Sequence, residues 1–259
     1  MRILVTNDDG ISAPGLVALE AIAAELSDDV WVVAPAEEQS GAGHSLTLSQ
    51  PVRLREISPR RFAVRGTPTD CVMLALGAVM QDAKPDLILS GVNRGGNLAE
   101  DVTYSGTVSA AMEGCLAGIR SIALSQVMAD YTAGMEDFST ATAHGAAVLR
   151  HVLGIAWPDG VLININFPPV PAAAVKGVRV TEQGFRDYGN IQLIKRTDPR
   201  GFDYYWHGYG KEKQVPGHET DLKAMHEACI SVTPLHVDMT HYQTMAALKA
   251  ALAPLAEGA

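Results

Sequence analysis

Short apolar runs alternate with helical patterns along the first two thirds of the chain. Between the runs, apolar residues recur three or four positions apart, which predicts amphipathic helices. Because strands and helices alternate in this rhythm, we predict an α/β fold with a mostly parallel sheet, flanking helices and right-handed crossovers. The predicted strands cover residues 2–6, 30–35, 87–90, 121–125 and 161–167. The helices begin near residue 14, after a turn at residues 66–70, and near residues 105 and 138.

Two regions depart from this alternation. After the second strand, three short runs of extended character predict a small antiparallel excursion. Beyond residue 168, extended segments separated by turn residues predict a hairpin that projects from the core. The excursion comprises residues 45–48, 52–57 and 62–64, and the later segments are 178–182, 191–194, 203–207 and a strand at 229–234. The turn residues are Gly184, Tyr188, Gly189, Pro199 and Gly201.

The sequence contains no internal repeat, low-complexity tract or linker, so we predict that residues 1–259 form a single α/β domain. Its core is expected to consist of about residues 1–168 and 226–240. The hairpin region spans about residues 178–210, a short helix is expected at 221–226, and a helix of about residues 241–253 ends the chain.

Composition and charge narrow the possible partners. The formal net charge of −9 argues against a broad surface for nucleic acid or anionic membranes, although a small anionic substrate can still bind locally. Three widely spaced cysteines in apolar runs predict buried free thiols, which are typical of a reducing cytoplasm. No apolar run approaches membrane-spanning length and the N-terminus shows no signal-peptide pattern, so we expect a cytoplasmic protein.

Two adjacent carboxylates, Asp8 and Asp9, follow the first predicted strand. Side-by-side carboxylates near a protein interior need positive compensation, and a divalent cation is one candidate. The loops after the second and third strands carry Ser40 and Asn93, and ligands of open parallel sheets bind beyond the carboxyl ends of the strands. This all-oxygen donor set favours Mg²⁺ or Mn²⁺ over zinc. Taken one at a time, each of these residues could equally serve as a cap or a loop residue.

A second element of the predicted site is the start of a helix at Ser105-Gly106-Thr107. Free backbone amides, two hydroxyls and the positive end of the helix dipole predict a phosphate cradle, although an ordinary N-cap would look the same. Gly41 in the Ser40 loop would allow that loop to approach a ligand closely. Zincin, nucleophile-elbow, Walker and dinucleotide motifs are absent from the sequence.

Two classes without phosphatase activity compete with this interpretation. A non-enzymatic receiver domain also carries an acidic pair after its first strand, but it needs an Asp at the end of the third strand, where this chain has residues 90–93, Ser-Gly-Val-Asn. A metal-dependent sugar-nucleotide transferase would need an acceptor pocket that the sequence does not indicate. A phosphatase of some other small phosphomonoester also remains open.

These motifs together resemble the SurE survival protein family. The resemblance rests on residues 3–15, 33–35, 39–41, 45–47, 66–72, 85–93, 104–108 and 110–114. It is specific up to about residue 125 and continues more loosely to about residue 240. One departure is Ala99, where we expect glycine after Asn97-Leu98, and the stretch at 195–220 is the least similar to the family.

The resemblance implies a Rossmann-like core and a phosphatase of nucleoside 5′-monophosphates, with some activity on 3′-nucleotides and short polyphosphate. It implies one divalent cation per subunit, held by the residues that match Asp8, Asp9, Ser40 and Asn93. It also implies homodimers formed by exchange of C-terminal segments, or tetramers, with a nucleotide as the small-molecule partner.

For the mechanism we expect water to attack in line while Asp8 or Asp9 orients it or accepts its proton. Amides at residues 105–107, with Asn97 nearby, would stabilise charge on the phosphoryl oxygens. A covalent aspartyl-phosphate is the competing mechanism. Enzymes that form one use an Asp-x-Asp spacing, whereas these two carboxylates are adjacent, so we favour direct attack by water.

Overall fold

In the computed structural model, which describes residues 1–132, 134–186, 192–208 and 218–256, a long twisted sheet forms the centre. The strands are β1 (Arg2–Thr6), β2 (Asp29–Pro35), β3 (Arg53–Ser58), β4 (Arg61–Arg65), β5 (Leu87–Arg94), β6 (Arg120–Gln126), β7 (Val161–Phe167), β8 (Val178–Val180), β9 (Gln192–Thr197), β10 (Asp203–Gly208) and β11 (Ile230–His236). All but β9 and β10 join this sheet, in the order β3-β4-β2-β1-β5-β6-β7-β11-β8.

Six neighbouring strands, from β4 through β2, β1, β5 and β6 to β7, run parallel. Strand β3 runs antiparallel to β4, and β11 runs antiparallel to β7 but parallel to β8. The helices are α1 (Pro14–Ala24), α2 (Pro68–Leu74), α3 (Gly106–Leu116), α4 (Ser139–Leu153), α5 (Asp221–His226) and α6 (Tyr242–Ala256), with a π-helical turn at Ala75–Val79 after α2 and 3₁₀ turns at Ala99–Thr103 and Ala172–Ala174. The predicted α/β fold with a mostly parallel sheet and flanking helices is confirmed.

Alternation along β1 explains how helices cover both faces of the sheet. Ile3 and Val5 pack with α1 and α4 on one face, while Leu4 packs with α2 and α3 on the other. All three side chains are fully buried, so the strand has the continuous apolar sequence of a central parallel strand. This sandwich leaves the carboxyl ends of the parallel strands free to carry polar loops.

The third predicted strand is longer than expected. The prediction of a loop from Gly91 onward is wrong, because β5 continues to Arg94 and pairs Asn93 with Ser125 of β6 after an irregularity in the register. Gly91 has φ +139°, and a Cβ there would lie 2.1 Å from the carbonyl oxygen of Leu124. The missing side chain therefore lets the strand pass this irregularity and carries Asn93 to the edge of the sheet.

The predicted antiparallel excursion is only partly present. Residues 45–48 form no strand, because this segment caps the next helix instead: the Thr67 hydroxyl donates to the Ser45 carbonyl at 2.8 Å, and the Thr47 hydroxyl donates to Asp70 at 2.6 Å. Strands β3 and β4 do form an antiparallel pair. However, β4 also joins the main sheet parallel to β2, so the pair extends that sheet rather than leaving it.

The C-terminal third adds strands and exposed apolar surface. Strand β8 pairs with β11 in the main sheet, so the separate hairpin consists of β9 and β10 alone. The predicted turn residues Tyr188 and Gly189 and the first residue of the predicted strand 191–194 lie outside the described residues. Among the described residues, no helix is long and apolar enough to cross a membrane.

Candidate active site at the carboxyl edge of the sheet

The predicted site loops meet where β1 ends, because β1 lies between β2 and β5 in the sheet. The amide of Gln39, in the loop after β2, donates to the Asp8 carbonyl at 2.8 Å. The amide of Arg94, at the end of β5, donates to the Asp9 carboxylate at 3.0 Å. The acidic turn is thus bonded on one side to the neighbour of Ser40 and on the other to the neighbour of Asn93.

Asn7 shapes the acidic turn. Its side-chain oxygen accepts from the Gly10 amide at 3.2 Å, and its side-chain nitrogen donates to the Gly10 carbonyl at 3.0 Å. Gly10 adopts φ +104°, a conformation that favours glycine. The sequence reasoning gave Asn7 no role, although an Asn three residues before a Gly is typical of a side-chain-closed turn. The closed turn fixes the backbone on which Asp8 and Asp9 sit.

Asp8 is only 4% exposed and lies against the first turn of α3. The Thr107 hydroxyl donates to its Oδ1 at 2.5 Å. A Cβ on Gly106 would lie 2.7 Å from the Asp8 Cβ, so only glycine allows this close approach. Burial, and next the charge of Asp9, raise the pKa of Asp8 to about 7, against the opposing hydrogen bonds from Thr107.

Asp9 is half-buried, and burial raises its pKa as well. The Arg94 amide and guanidinium lower this pKa, whereas the charges of Glu38 and Glu136 raise it. The Arg94 guanidinium is engaged by Glu136 at 3.1 Å. No Lys, Arg or His of the described residues forms an ion pair with Asp8 or Asp9. The Arg94 guanidinium thus acts on Asp9 without forming an ion pair with it, and the ionised pair is only partly compensated.

Ser40 and Asn93 leave oxygen atoms available beside this pair. The Ser40 hydroxyl is exposed and donates to Glu38 Oε1 at 2.7 Å, so its lone pairs remain free. The Asn93 side-chain nitrogen donates to the Gly95 carbonyl at 2.9 Å, which directs the amide oxygen away from that carbonyl. The sequence reasoning missed Glu38, which orients Ser40 and also adds negative charge near Asp9.

This donor set fits a hard divalent cation. It consists of two carboxylates, a hydroxyl and an amide oxygen, and such cations take oxygen ligands. Within the described ranges, no group of three or more His, Cys, Asp or Glu side chains is placed to hold a metal ion, so a cation here would rely on the hydroxyl and the amide as well. The pKa of both carboxyl groups is raised, which means that negative charge is unfavourable at this position. A bound cation would therefore stabilise the ionised carboxylates.

The predicted phosphate cradle is a helix N-terminus whose hydroxyls are already engaged. Ser105 is the N-cap of α3, and its hydroxyl accepts from the Val108 amide at 3.0 Å. The Thr107 hydroxyl donates to Asp8 Oδ1. The first amides of a helix have no acceptor within the helix, but the Thr107 amide already faces the Asp8 carboxylate and lowers its pKa. The Gly106 amide therefore supplies the anion binding that the backbone of this turn offers.

Asn97 lies in a buried amide network rather than at an open surface. Its side-chain nitrogen donates to the Ser125 hydroxyl at 2.8 Å, and its backbone amide donates to Asn166 Oδ1 at 2.9 Å. Its carbonyl accepts from the side chains of Asn164 and Asn166. Asn97 therefore fixes the loop after β5 to the neighbouring strands β6 and β7.

The Ser40 loop docks on the segment that leads into α3. Gly41 adopts φ +75° and a Cβ there would meet nothing within 4 Å, so its side of the loop is open. The Gly43 amide donates to the Tyr104 carbonyl at 3.1 Å. His44 Nε2 lies 3.0 Å from Glu113 Oε2 on α3. These contacts hold the loop over the start of the helix.

A buried carboxylate that joins three backbone segments behind the site, here called the Asp221 clamp, was not identified from the sequence. Asp221 is fully buried, and its carboxylate accepts from the amides of Ala99 at 2.8 Å, Gly184 at 2.9 Å and Leu222 at 2.7 Å. Ala99 adopts φ +52°, which accounts for the glycine that the family resemblance led us to expect there. Because two of the three amide donors, Ala99 and Gly184, are distant from Asp221 in sequence, no local pattern could have revealed this role of the carboxylate.

Comparisons with known proteins agree with this arrangement. The family model described as Survival protein SurE matches residues 3–190. A protein of Rhizorhabdus wittichii described as 5′-nucleotidase SurE is 59% identical over 251 residues, which cover 96% of this chain and 99% of that protein. One of Erythrobacter litoralis with the same description is 57% identical, with 96% and 98% covered. The crystal structure of a SurE protein from Aquifex aeolicus superposes with a TM-score of 0.82 at 40% identity, covering 96% and 98% of the two chains.

Proposed function

The chain belongs to the SurE survival protein family and is a 5′-nucleotidase, and on that basis we propose that it hydrolyses nucleoside 5′-monophosphates in a divalent-metal-dependent reaction at the carboxyl edge of its sheet. The observation that carries the proposal is the buried acidic pair facing a helix N-terminus. There the pKa of Asp8 is raised to about 7 and the first turn of α3 lies in contact with the same carboxylate. The proposed substrate range extends to 3′-nucleotides and short polyphosphate.

The residues that would hold the cation are Asp8, Asp9, Ser40 and Asn93. When bound, a Mg²⁺ or Mn²⁺ ion would supply Lewis-acid polarisation of a phosphate oxygen and a lowered pKa for a bound water. The fit rests on the all-oxygen donor set and on the incompletely compensated negative charge of the pair, where the pKa of both carboxyl groups is raised.

The chain's own residues perform the remaining tasks. Asp8 and Asp9 orient the attacking water, and one of them holds its proton. The backbone amides of the first turn of α3 bind the phosphoryl oxygens and stabilise the charge that spreads over them. Asn97 does not contact the phosphate in this proposal, because its side chain is hydrogen-bonded to Ser125. It acts indirectly, by fixing the loop that precedes the helix. The nucleoside leaves as an alcohol.

We favour direct attack by water over a phospho-enzyme. The carboxylates are adjacent rather than two apart, and Asp8 is held by the Thr107 hydroxyl and buried to 96%. Hydrolysis of a phosphate ester made chiral with oxygen isotopes tests this choice, because one direct displacement by water inverts the configuration at phosphorus, whereas two displacements through a phospho-aspartate retain it. Retention of configuration, or a trapped phospho-aspartate, would contradict direct attack.

The activity itself is tested by phosphate release from AMP and a panel of nucleotides and other small phosphomonoesters. With Mg²⁺ or Mn²⁺ the purified protein should release phosphate from AMP, and EDTA should abolish the release. An Asn93→Ala variant should need a higher metal concentration for half-maximal activity, whereas Gln81→Ala, at an exposed position before the amino end of β5, should not. Release of phosphate that is unaffected by EDTA would remove the metal from the proposal.

Exposed apolar side chains support the proposed homodimer. Strands β9 and β10 and helix α6 carry large side chains that are between 43% and 76% exposed in a single chain, which is typical of an uncovered interface. They are Leu193, Tyr204, Tyr205, Trp206, Tyr242, Leu248, Leu252 and Leu255. We propose that exchange of these segments forms the dimer, or a tetramer, and that the protein works in the cytoplasm, where its three free buried cysteines would stay reduced.

A further inference from the structure

A groove beside the active site carries three arginines without acidic partners. Arg53 and Arg55 lie on the edge strand β3, and Arg65 ends β4. With Leu54, Ala63, Ala36 and Glu37 they line an open groove of about 830 Å³. Within the described part of the chain, no carboxylate forms an ion pair with any of the three guanidinium groups, although the whole chain has a net charge of −9. The lining therefore holds three positive charges against one glutamate.

The three arginines share one face of the sheet. In the antiparallel pair of β3 and β4, Arg53 lies opposite Arg65, and Arg55 lies opposite Ala63. Ala63 packs into the core cluster that contains α1, which assigns this face. Nearer the start of β4, Arg61 on the same face is paired with Glu20 of α1 at 2.5 Å. Arg53, Arg55 and Arg65 are all exposed, so α1 does not cover them.

This arrangement is unfavourable unless something negative binds. Like charges directly opposite each other on a strand pair repel. Charged residues on an edge strand also discourage pairing with another chain. Protection of the edge, however, requires neither that the charges lie on one face of the sheet nor that they all be positive. Three guanidinium groups on one face, facing a groove, instead suit a ligand that carries several negative charges, because Arg binds phosphate groups through paired N–H donors.

The groove adjoins the acidic turn. Ala36 and Glu37 form its wall and directly follow β2, and a Cβ on Gly10 would lie 3.3 Å from the Glu37 backbone. Two residues further, the Gln39 amide binds the Asp8 carbonyl. A ligand with linked phosphates whose end lies at the acidic turn would thus have its other phosphates near the arginines.

We propose that the groove formed by Arg53, Arg55 and Arg65 binds the linked phosphates of a ligand that carries more than one phosphate group. This inference deepens the proposed function, since it adds a subsite to the same active site, but its binding test does not depend on catalysis. The linked phosphates can come from an inorganic oligophosphate or from a nucleoside triphosphate, which share the same chemistry.

The test is equilibrium binding to the full chain in EDTA, measured by calorimetry with inorganic tripolyphosphate, ATP and orthophosphate. An Arg53→Gln/Arg55→Gln variant should bind tripolyphosphate, ATP or both about tenfold more weakly, and the ligand that is affected identifies the source. A matched control, Lys84→Gln/Arg150→Gln, removes the same charge from other surfaces and should bind as wild type does. Orthophosphate binding should be equal in all three proteins.

Two further readouts keep the result interpretable. The Arg53→Gln/Arg55→Gln variant should not melt below the wild-type temperature, since both arginines are exposed and their loss relieves the repulsion with Arg65. Both variants should hydrolyse AMP at the wild-type rate, since none of the replaced residues lies in the catalytic machinery. An Arg53→Lys/Arg55→Lys variant, which keeps the charge, should recover part of the affinity. Unchanged binding in the Gln variant, or equal weakening in the control, would overturn the proposed subsite.

Discussion

The Thr107 hydroxyl donates a hydrogen bond to Asp8 Oδ1 across 99 positions of sequence, at 2.5 Å. Both residues are buried. The bond joins the acidic turn after β1 to the first turn of α3. The proposed water-activating groups and the proposed phosphate cradle are therefore parts of one rigid unit.

Replacing Thr107 by Val keeps the shape of the side chain but removes this donor. We expect kcat for AMP to fall about 10- to 100-fold, because a hydrogen bond to a charged group contributes roughly 1.5–3 kcal/mol. Steady-state phosphate release measures the effect. Thr107→Ser keeps the hydroxyl and should retain most of the activity. If the Val variant were as active as wild type, the bond to Asp8 would have no part in catalysis.

Gly106→Ala tests the close approach of the helix to Asp8. The new Cβ would lie 2.7 Å from the Asp8 Cβ and 3.1 Å from Pro68 Cγ, so Asp8 must shift. We expect AMP hydrolysis to drop by about tenfold or more, since even a small misplacement of reacting groups is costly. Gly77→Ala is the matched control, because a Cβ there meets nothing within 4 Å, and it should leave activity unchanged. Equal activity in both variants would contradict the geometry.

The raised pKa of Asp8 predicts how stability depends on pH in EDTA. The folded state keeps the Asp8 proton up to about pH 7, whereas the unfolded state releases it near the ordinary value of 3.8. Between these values the unfolded state binds fewer protons, so the free energy of unfolding falls as pH rises and levels off above pH 7. The total is at most about 4 kcal/mol.

Melting temperatures at pH 5, 6, 7 and 8 measure this slope, and Asp8→Asn should remove most of it. Carboxyl groups whose pKa is lowered, such as that of Asp70, titrate below this window and do not mask it. A divalent cation, if the site takes one, should raise the melting temperature more at pH 8 than at pH 6, because its carboxylate ligands must lose their protons. A melting temperature that rises from pH 5 to 7 in EDTA would contradict the assignment.

The strands buried on both faces could be predicted from sequence almost to the residue. Strands β1 and β7 match their predicted bounds because continuous apolar runs have few other uses in an α/β chain. The extension of β5 past Gly91 could not be predicted, since it depends on pairing with β6. Polar and apolar residues alternate at 45–48 as they would in a strand. In the structure, however, this segment is hydrogen-bonded to the N-terminus of α2, which lies near it only once the chain has folded.

The same division holds for the site. Asp8 and Thr107 could each be selected from sequence because a strand end and a helix start have known chemical uses. Their direct contact could not, nor could the burial that raises the pKa of Asp8. Asp221 was out of reach because its partners are backbone amides, which carry no sequence signal.

Asp221→Asn should destabilise the protein and loosen the loop after β5. All three donors to Asp221 are backbone amides, so an Asn side chain must turn its NH₂ group toward at least one of them. An unsatisfied buried donor costs roughly 1–3 kcal/mol. Chemical denaturation measures the loss, and hydrogen exchange at Ala99 and Gly184 should increase. Asp82→Asn, at an exposed turn, is the control and should change neither quantity.

At Ala99, which donates to the Asp221 carboxylate, replacement by Gly distinguishes the effect of backbone strain on stability from the effect of burying a methyl group. Ala99 is fully buried, and its φ of +52° costs an L-residue roughly 1–2 kcal/mol that glycine does not incur. In the glycine variant, removal of this backbone strain stabilises the folded state. The loss of a buried methyl group and the greater conformational freedom of glycine in the unfolded chain destabilise it. These effects nearly cancel, so the free energy of unfolding should change by less than about 0.5 kcal/mol. Ala110→Gly, equally buried but within α3, lacks the relief and should lose about 1–2 kcal/mol. Equal losses in the two variants, measured by urea denaturation, would show that Ala99 is not strained.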